Sequence, residues 1–323
     1  MDEFSFINSI KPKEYHQSAL IKGMGDDAAV FQPLTGSVVT AVDTFVEHVH
    51  FSRQTMKLFQ AGYRALAANM SDLAAMGATP AFYLASVVVP DSLSIQDLYK
   101  IFSGMKDLAN AYNMDLIGGD TVSGKVLTLS ITVIGFVDDQ QARYRHLARD
   151  GDVVFVTGTL GDAQAGYYIL THAGNYKNSP YYINRHRMPI PRVHFARALA
   201  HLDRVALNDI SDGLANEAAE IAEASGTDMC LYADHIPVSP GFSQFPPALQ
   251  RKWTFFGGED FELLGTVAAD QWEDIETAAA KTKTPVTKIG RVYSSQNHEP
   301  GRVFLYENNQ KKVLHKEGYT HFR

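Results

Sequence analysis

Aspartates recur along this sequence in five short motifs, each among glycine or other small residues. The motifs are Gly25-Asp26-Asp27, Val42-Asp43-Thr44, Ser71-Asp72-Leu73, Gly118-Gly119-Asp120-Thr121 and Asp209-Ile210-Ser211-Asp212-Gly213. Any one of them has an ordinary explanation, because aspartate favours turns and helix starts through hydrogen bonds to nearby backbone. Five such motifs together favour a different explanation, in which the carboxylates converge on bound cations. Without cations, converging carboxylates would repel one another. The pattern therefore predicts a magnesium site built by acids from both halves of the chain.

Two histidines offer a competing metal site. His48 and His50 would point to one face of an extended segment, with Glu47 beside them. Zinc usually takes three or four protein ligands, and neither an HExxH helix nor a cysteine pair supplies the rest. Zinc ligation, a structural role and binding of a substrate phosphate therefore all remain open for these histidines. Arg145 is equally open between a phosphate contact and a solvated loop charge.

The sequence does not match the motifs of several other catalytic classes. The stretch from Gly119 to Val126 nearly spells a phosphate loop, but Lys125 precedes Val126 and a strand, where that loop needs Ser or Thr and a helix. The sequence has no GxSxG elbow, and Cys230 lies outside the acidic motifs, so covalent catalysis is poorly supported. Glycoside hydrolysis would use one isolated pair of acids, whereas this sequence has five dispersed acidic motifs, so that reaction is also disfavoured. Metal-bridged phosphoryl transfer fits the residues better.

The elements that position these motifs alternate between strands and helices. Runs rich in β-branched and apolar residues predict strands at 38–43, 84–89, 127–137, 153–157 and 261–267. Apolar residues at three- and four-residue steps predict a helix over 59–73, and Asp72 lies on a different face of it from that apolar stripe. That second face carries small side chains and Asn69. A further helix is predicted over 95–112, and another begins at Ser211 as its N-cap and ends before Gly226.

Length and composition set the outer limits. The 323 residues suggest two domains, and the polar stretch 138–152 places the boundary so that they cover 1–140 and 141–323. A net charge of −7 with no basic stripe argues against a nucleic-acid partner. No apolar stretch is long enough to span a membrane and the N-terminus lacks the pattern of a secretory signal, so a cytoplasmic protein without a membrane partner is expected. A single cysteine excludes an internal disulfide framework.

Longer stretches around the aspartates resemble the thiamine-monophosphate kinase family. They are residues 25–29, 42–51, 69–78, 116–121, 211–214, 257–260 and, near the end, 318–322. The resemblance covers nearly the whole chain in order. This family belongs to an ATP-binding superfamily that includes aminoimidazole ribonucleotide synthetase, selenophosphate synthetase and a hydrogenase maturation factor.

The resemblance implies an α+β, two-domain, synthetase-like fold. An N-terminal α/β domain would bind ATP and magnesium and form a homodimer through its strands, with ATP near the acidic motifs at that dimer. A C-terminal α+β domain would contribute to substrate and nucleotide binding. ATP would donate its γ-phosphate to thiamine phosphate, giving thiamine diphosphate and ADP in the biosynthesis of that coenzyme.

Site residues follow by position. The magnesium ligands would be Asp26, Asp43, Asp72, Asp120, Asp209 and Asp212. Of these, Asp120 and Asp212 are the acids expected to matter most for catalysis. The ATP contacts would be Tyr112, Gly119, Asp120, Arg145 and Ser211. Thiamine phosphate would meet His50 and Glu259, with Tyr319, or alternatively Phe322, against its ring system. One departure is that Ala41 and Val42 stand where the family often has Ser or Thr, so a hydroxyl ligand there is lost.

The reaction implied by the resemblance needs no catalytic base or nucleophile from the protein, and the sequence shows no motif for either. A phosphate monoester has its second pKa near ~6, so at neutral pH the acceptor is already an anionic nucleophile and needs no general base. Direct transfer without a phosphoenzyme is expected. Aminoimidazole ribonucleotide synthetase is the enzymatic alternative, while the two cysteine-dependent members of the superfamily do not fit. A binding module without turnover and a metal-dependent phosphohydrolase are the alternatives from other classes.

Overall fold

The computed structural model describes residues 3–25, 28–33, 36–295 and 301–318. The chain divides into two compact units, one of residues 1–73 and 78–142 and one of residues 74–77 and 143–323. Both units combine helices and strands. None of the helices in the described ranges has the length and hydrophobicity needed to cross a bilayer.

The first unit is a four-stranded sheet with two long helices and a short N-terminal part. Its elements are α1 Glu3–Ile10, β1 Leu20–Lys22, β2 Val30–Phe31, β3 Ser37–Val46, α2 Leu58–Ala75, β4 Thr79–Val89, α3 Ile95–Ala111, β5 Asp115–Ser123 and β6 Thr128–Val137. The strand order is β3-β6-β4-β5, in which only the β4–β5 pair is parallel, and β1 and β2 form a separate antiparallel pair.

Helices α2 and α3 approach each other closely through glycine. A Cβ on Gly62 would lie 1.9 Å from the carbonyl oxygen of Ile101, and one on Gly104 would lie 1.8 Å from that of Phe59.

On its small face α2 buries Ala61, Ala65 and Asn69. Because side chains this small let backbones approach, the predicted second face of the 59–73 helix is a packing face. Asp72 lies at its C-terminal end.

The second unit is built on a seven-stranded sheet. Its elements are β7 Val153–Thr157, α4 Asp162–Thr171, α5 Ser179–Arg187, α6 Val193–Ala198, β8 Val205–Asp209, α7 Leu214–Ser225, β9 Thr227–Tyr232, α8 Pro247–Phe256, β10 Leu263–Val267, α9 Trp272–Thr282, β11 Val286–Ser294, β12 Val303–Glu307 and β13 Gln310–Val313. The strand order is β13-β12-β9-β11-β7-β10-β8. Every residue of β7, β8 and β10 is buried, which explains why these strands are largely apolar; Asn208 and Asp209 at the end of β8 are buried polar residues.

The core of this unit lies between the sheet and α7. Leu214, Ala218, Ile221 and Ala222 of α7 pack with apolar residues of the strands. The lone cysteine, Cys230, is buried on β9, and burial raises the pKa of its thiol. Its role is therefore that of a small apolar core residue.

Candidate functional site

In the first unit, Asn69 joins two of the predicted ligand positions. Its side-chain oxygen accepts a hydrogen bond from the backbone N–H of Asp43 at 2.8 Å, and its amide donates to the carbonyl of Ala65 at 2.9 Å. Asp72 follows one helical turn later on α2. The N–H of Asp43 on β3 and the end of α2 that carries Asp72 are thus held together by one buried amide. Sequence reasoning placed Asn69 on the small-residue face but assigned it no role.

His50 lies near Asp43, in a turn after β3. Its Nδ1 accepts a hydrogen bond from the N–H of Val46 at 3.0 Å. Partial desolvation raises the pKa of the Asp43 carboxyl although its side chain is exposed, and the electrostatic effect of His50 opposes that shift. The predicted extended segment with His48 and His50 on one face is wrong. Residues 47–51 form a turn in which His48 has φ 71°, so the two rings do not follow strand alternation.

Gly119 and Asp120 lie on β5, within a continuous strand, in agreement with the exclusion of a phosphate loop. A Cβ on Gly119 would lie 2.0 Å from the carbonyl oxygen of Ala85, so only glycine fits against β4. Asp120 is exposed, and its Oδ1 accepts the N–H of Thr121 at 2.9 Å. Tyr112 is the C-cap residue of α3, before the start of β5, so it lies at the opposite end of that strand from Asp120.

The sheet register separates Asp43 from Asp120. Asp43 pairs with Ile131, Ile131 with Ala85, and Ala85 with Gly119, whereas Asp120 pairs with Ser86 in the next row. Successive residues alternate between faces, so the two carboxylates point to opposite faces of the sheet. They also occupy its two edge strands, about 14 Å apart at the usual strand spacing. One copy of this sheet does not bring them together.

In the second unit, Glu217 organises the segment that carries Ser211 and Asp212. Its Oε1 accepts the backbone N–H of Asp212 at 2.8 Å and the hydroxyl of Ser211 at 3.3 Å. The prediction that Ser211 is the N-cap of α7 is wrong. The N-cap is Gly213, because the chain turns there with φ 123° before the helix begins. The predicted end of this helix before Gly226 is confirmed. Sequence reasoning did not single out Glu217.

Glu217 also reports on the charge around it. Burial raises the pKa of its carboxyl to about 8, and the nearby charges of Asp209 and Asp212 add to that shift. Its Oε2 is buried and, within the described ranges, has no hydrogen-bond partner. The charges of Asp209 and Asp212 thus disfavour the ionisation of Glu217, and a cation relieves such an environment.

Arg145 lies beside the end of β8 that carries Asp209. Its Nε donates to Asn208 at 3.1 Å, and its Nη1 lies 3.3 Å from a carboxylate oxygen of Glu220. The side chain is 53% exposed, so the guanidinium has free surface for a ligand. Gly318, the last described residue, donates its N–H to Asn216 at 3.1 Å and leaves no space for a Cβ beside the carbonyl of Asp212. Asp26, Tyr319 and Phe322 lie outside the described residues.

Glu259 belongs to a backbone turn hydrogen-bonded to the same segment. Its N–H donates to the carbonyl of Ser211 at 2.7 Å, and the N–H of Phe261 donates to that of Ile210 at 3.0 Å. The second unit therefore brings Asp209, Ser211, Asp212 and Glu259 into one region. Arg145 lies in the same region, because it donates a hydrogen bond to Asn208, the residue before Asp209.

The donor chemistry of both units suits magnesium. All the predicted ligands are carboxylates, the hard oxygen donors that this ion prefers, and it is usually held by one or two of them with substrate phosphates and water. Among the described residues no group of three or more His, Cys, Asp or Glu is arranged to hold a metal ion.

Comparisons with known proteins are consistent along the chain. Residues 25–137 match the N-terminal domain, and residues 149–301 the C-terminal domain, of the AIR synthase related protein family. The thiamine-monophosphate kinase of Bacillus subtilis strain 168 is 42% identical over 329 residues, covering 100% of both chains. This chain belongs to the thiamine-monophosphate kinase family. The expected two-domain, synthetase-like α+β fold is thereby confirmed.

Solved structures of the family support the same assignment. The thiamine-monophosphate kinase of Stenotrophomonas maltophilia K279a superimposes with a TM-score of 0.84 at 33% identity, covering 94% of this chain and 96% of that one. AaThiL complexed with AMPPCP and TMP gives a TM-score of 0.77 at 28% identity, covering 99% and 97%.

Proposed function

We propose that this chain transfers the γ-phosphate of ATP to thiamine phosphate, forming thiamine diphosphate and ADP. The observation that carries the proposal is the 42% identity to a thiamine-monophosphate kinase along the whole length of both chains. The solved relative complexed with AMPPCP and TMP supports both substrates. A terminal oxygen of thiamine phosphate forms the new P–O bond, while the bond between the γ-phosphorus and the bridging oxygen breaks and its electrons leave with ADP.

The chain's own residues have binding and orienting tasks in this reaction. Asp26, Asp43, Asp72, Asp120, Asp209 and Asp212 would hold magnesium, which when bound neutralises phosphate charge. Tyr112, Gly119, Asp120, Arg145 and Ser211 would contact ATP, while His50, Glu259 and Tyr319 would contact thiamine phosphate. The acceptor is already anionic at neutral pH, so no side chain needs to remove a proton. This proposal includes direct transfer, in which the protein itself is never phosphorylated.

The proposal also includes a cytoplasmic homodimer formed through the first unit. One sheet face carries exposed Val38, Val42 and Val122, which are 46%, 60% and 47% exposed. By register this is the face of Asp120. A second copy packed on this face would cover these valines and bring residues of the partner close to Asp120. The first unit would then carry dimerisation and ATP–magnesium binding, and the second would contribute to substrate and nucleotide binding.

A coupled assay with ATP, magnesium and thiamine phosphate tests the function. We expect thiamine diphosphate and ADP in equal amounts from the wild type, and a loss of kcat of about 10²-fold or more in Asp120→Asn and Asp212→Asn, since each removes a charge required in the transition state. Chelation of magnesium should abolish turnover. Circular dichroism and thermal unfolding serve as the control that both variants remain folded.

Four outcomes would contradict the proposal. Release of inorganic phosphate without thiamine diphosphate would indicate a phosphohydrolase, and binding of ATP without turnover would indicate a binding module. A stable phosphoprotein after incubation with ATP alone would refute direct transfer. Turnover of ATP only with an aminoimidazole ribonucleotide precursor would indicate the synthetase alternative.

A further inference from the structure

The turn that presents Glu259 has an unusual backbone. Gly258, Glu259 and Phe261 all adopt left-handed conformations, with φ of 61°, 60° and 51°. For Glu and Phe this region is sterically disfavoured, and such a conformation persists only where surrounding contacts impose it. The fold must therefore hold residues 257–261 from more than one side.

One side is held by the backbone of Ile210 and Ser211. Besides the two N–H donors of the turn described above, the N–H of Ile210 donates to the carbonyl of Glu262 at 2.7 Å. Gly258 fits against this segment only because it lacks a side chain, since a Cβ would lie 2.2 Å from the carbonyl oxygen of Ser211. The hydrogen bonds to Ile210 and Ser211 therefore fix the distance between the turn and Ser211, the predicted ATP contact.

The other side is held by the N-terminus of α4 through Asp260. This carboxylate is 2% exposed, and it accepts the N–H of Gly161 at 2.7 Å and that of Ala163 at 3.0 Å, one on each oxygen. Gln164, on the same helix, donates from its side chain to the carbonyl of Gly257 at 2.7 Å. Both ends of the strained turn are therefore tied to the first turn of α4.

The surroundings of Asp260 make this tie rigid. Arg185 donates to the backbone carbonyl of Asp260 at 3.3 Å and to the carboxylate of Glu262 at 2.7 Å, and Arg192 bonds both oxygens of Glu262. Because these groups are buried or nearly so, water has little access to replace a lost partner. Displacement of Asp260 would leave two N–H groups of α4 unsatisfied.

We propose that Asp260 is a positioning residue for Glu259. It holds the left-handed turn on α4, so that the neighbouring Glu259 side chain is presented in the orientation that binds thiamine phosphate. The proposal rests on the proposed function, in which Glu259 contacts that substrate. Asp260 itself is buried and turned toward α4, so it acts on the substrate only through Glu259.

Asp260→Asn tests the proposal at nearly constant volume. The amide keeps one acceptor oxygen but sets an NH₂ group against the second N–H of α4. We expect the KM for thiamine phosphate to rise about tenfold, equivalent to about 1.4 kcal/mol, while the KM for ATP changes less than about threefold. In a Glu259→Ala background, Asp260→Asn should add no further increase, since the two residues act as one unit.

Ser239→Ala is the matched control. Ser239 is buried and donates to Asp162 at 2.6 Å, at the same end of α4, so this variant also loses a buried hydrogen bond there. It should lose thermal stability without a change in the KM for thiamine phosphate. If Asp260→Asn fails to fold, Gln164→Ala replaces it, because that variant removes the other tie of the turn to α4, with an expected increase of about threefold.

The outcomes separate this proposal from the proposed function. An unchanged KM for thiamine phosphate in folded Asp260→Asn, or effects of Asp260→Asn and Glu259→Ala that multiply, would overturn the positioning role alone. Equal changes for both substrates, or the same change in Ser239→Ala, would indicate a general structural role and overturn it as well. A wild type that forms no thiamine diphosphate would instead overturn the proposed function, and the positioning role with it.

Discussion

Two carboxyl groups only two residues apart respond to burial in opposite ways. Glu262 is fully buried, yet its bonds with Arg192 and Arg185 lower its pKa against the effect of desolvation. Asp260 is buried beside it, but its own partners are backbone N–H groups, and burial raises its pKa to about 7 despite the nearby charge of Arg185. The difference arises because a guanidinium in direct contact compensates a buried negative charge more fully than backbone dipoles do.

This difference predicts a pH dependence of stability. The ordinary pKa of Asp260 is 3.8 and its value in the fold is about 7, so the folded protein binds this proton more tightly than the unfolded chain. Its contribution to the free energy of unfolding is therefore full below about pH 4 and falls as the pH rises to about 7, by up to about 1.4 kcal/mol per unit. Asp260→Asn should lose this part of the decline and keep the part that Glu217, whose pKa is also raised, contributes, as measured by urea denaturation at several pH values.

Glu262→Gln provides the control. The ordinary pKa of Glu262 is 4.5 and the fold lowers it, so the difference in stability between Glu262→Gln and the wild type should stay nearly constant between about pH 5 and pH 7. A constant difference between wild type and Asp260→Asn over the same range would show that Asp260 keeps an ordinary pKa.

At the level of residues, the proposed ligands are easier to select from the sequence than the residues that hold them in place. Asp209, Ser211 and Asp212 could be selected because their types and motif suit phosphate and cation chemistry. Glu217 and Asn69 could not, because each looks like an ordinary helical residue. Their importance comes from bonds to backbone groups that are fixed only in the folded chain.

Among the elements, those with local signals were predicted well. The apolar steps of α2, the run of β7 and the end of α7 at Gly226 match the structure within a few residues. Helix α5 was not predicted, because Ser179–Arg187 contains several polar residues and no apolar period; its position depends on tertiary bonds such as that of Arg185 to Glu262. The strand expected from 261 begins at Leu263, since the left-handed turn occupies the preceding residues.

Helix α3 shows how a local signal stabilises an element. Ser94 and Asp97 form a capping box: the Ser94 hydroxyl accepts the N–H of Asp97 at 3.3 Å, and Asp97 accepts the N–H of Ser94 at 3.1 Å. Ser94→Ala should lower the free energy of unfolding by about 0.5–2 kcal/mol, measured by chemical denaturation.

The same helix offers a matched control at Ser103, an exposed position within α3. Ser103→Ala should leave stability unchanged or raise it slightly, because alanine is the better helix former in an interior turn. Equal losses in both variants would mean that the capping box contributes nothing specific.

For the whole molecule, the open face of the first unit's sheet makes a quantitative prediction. Val42 is 60% exposed on edge strand β3, on the face proposed to pack against a second copy. Val42→Lys would bury an uncompensated charge there, so we expect the wild type to elute as a dimer and the variant to shift toward the monomer mass in size-exclusion chromatography with light scattering.

Val313→Lys is the comparison variant for that experiment. Val313 is 45% exposed on β13, an edge strand of the second unit, and the same substitution there should leave the dimer intact. A monomeric wild type, or an unchanged mass of Val42→Lys, would refute dimerisation through this face. The separation of Asp43 from Asp120 follows from strand order and register, which no single motif encodes, and for that reason the sequence did not predict it.

The concealed thiol of Cys230 has a practical consequence for spectroscopy. The chain has one cysteine, it is buried on β9, and its raised pKa keeps it in the unreactive protonated form. A maleimide fluorophore would therefore react selectively with a cysteine engineered at an exposed position, without prior removal of the native one. Pairs of such labels could follow distances between the two units as nucleotide is added.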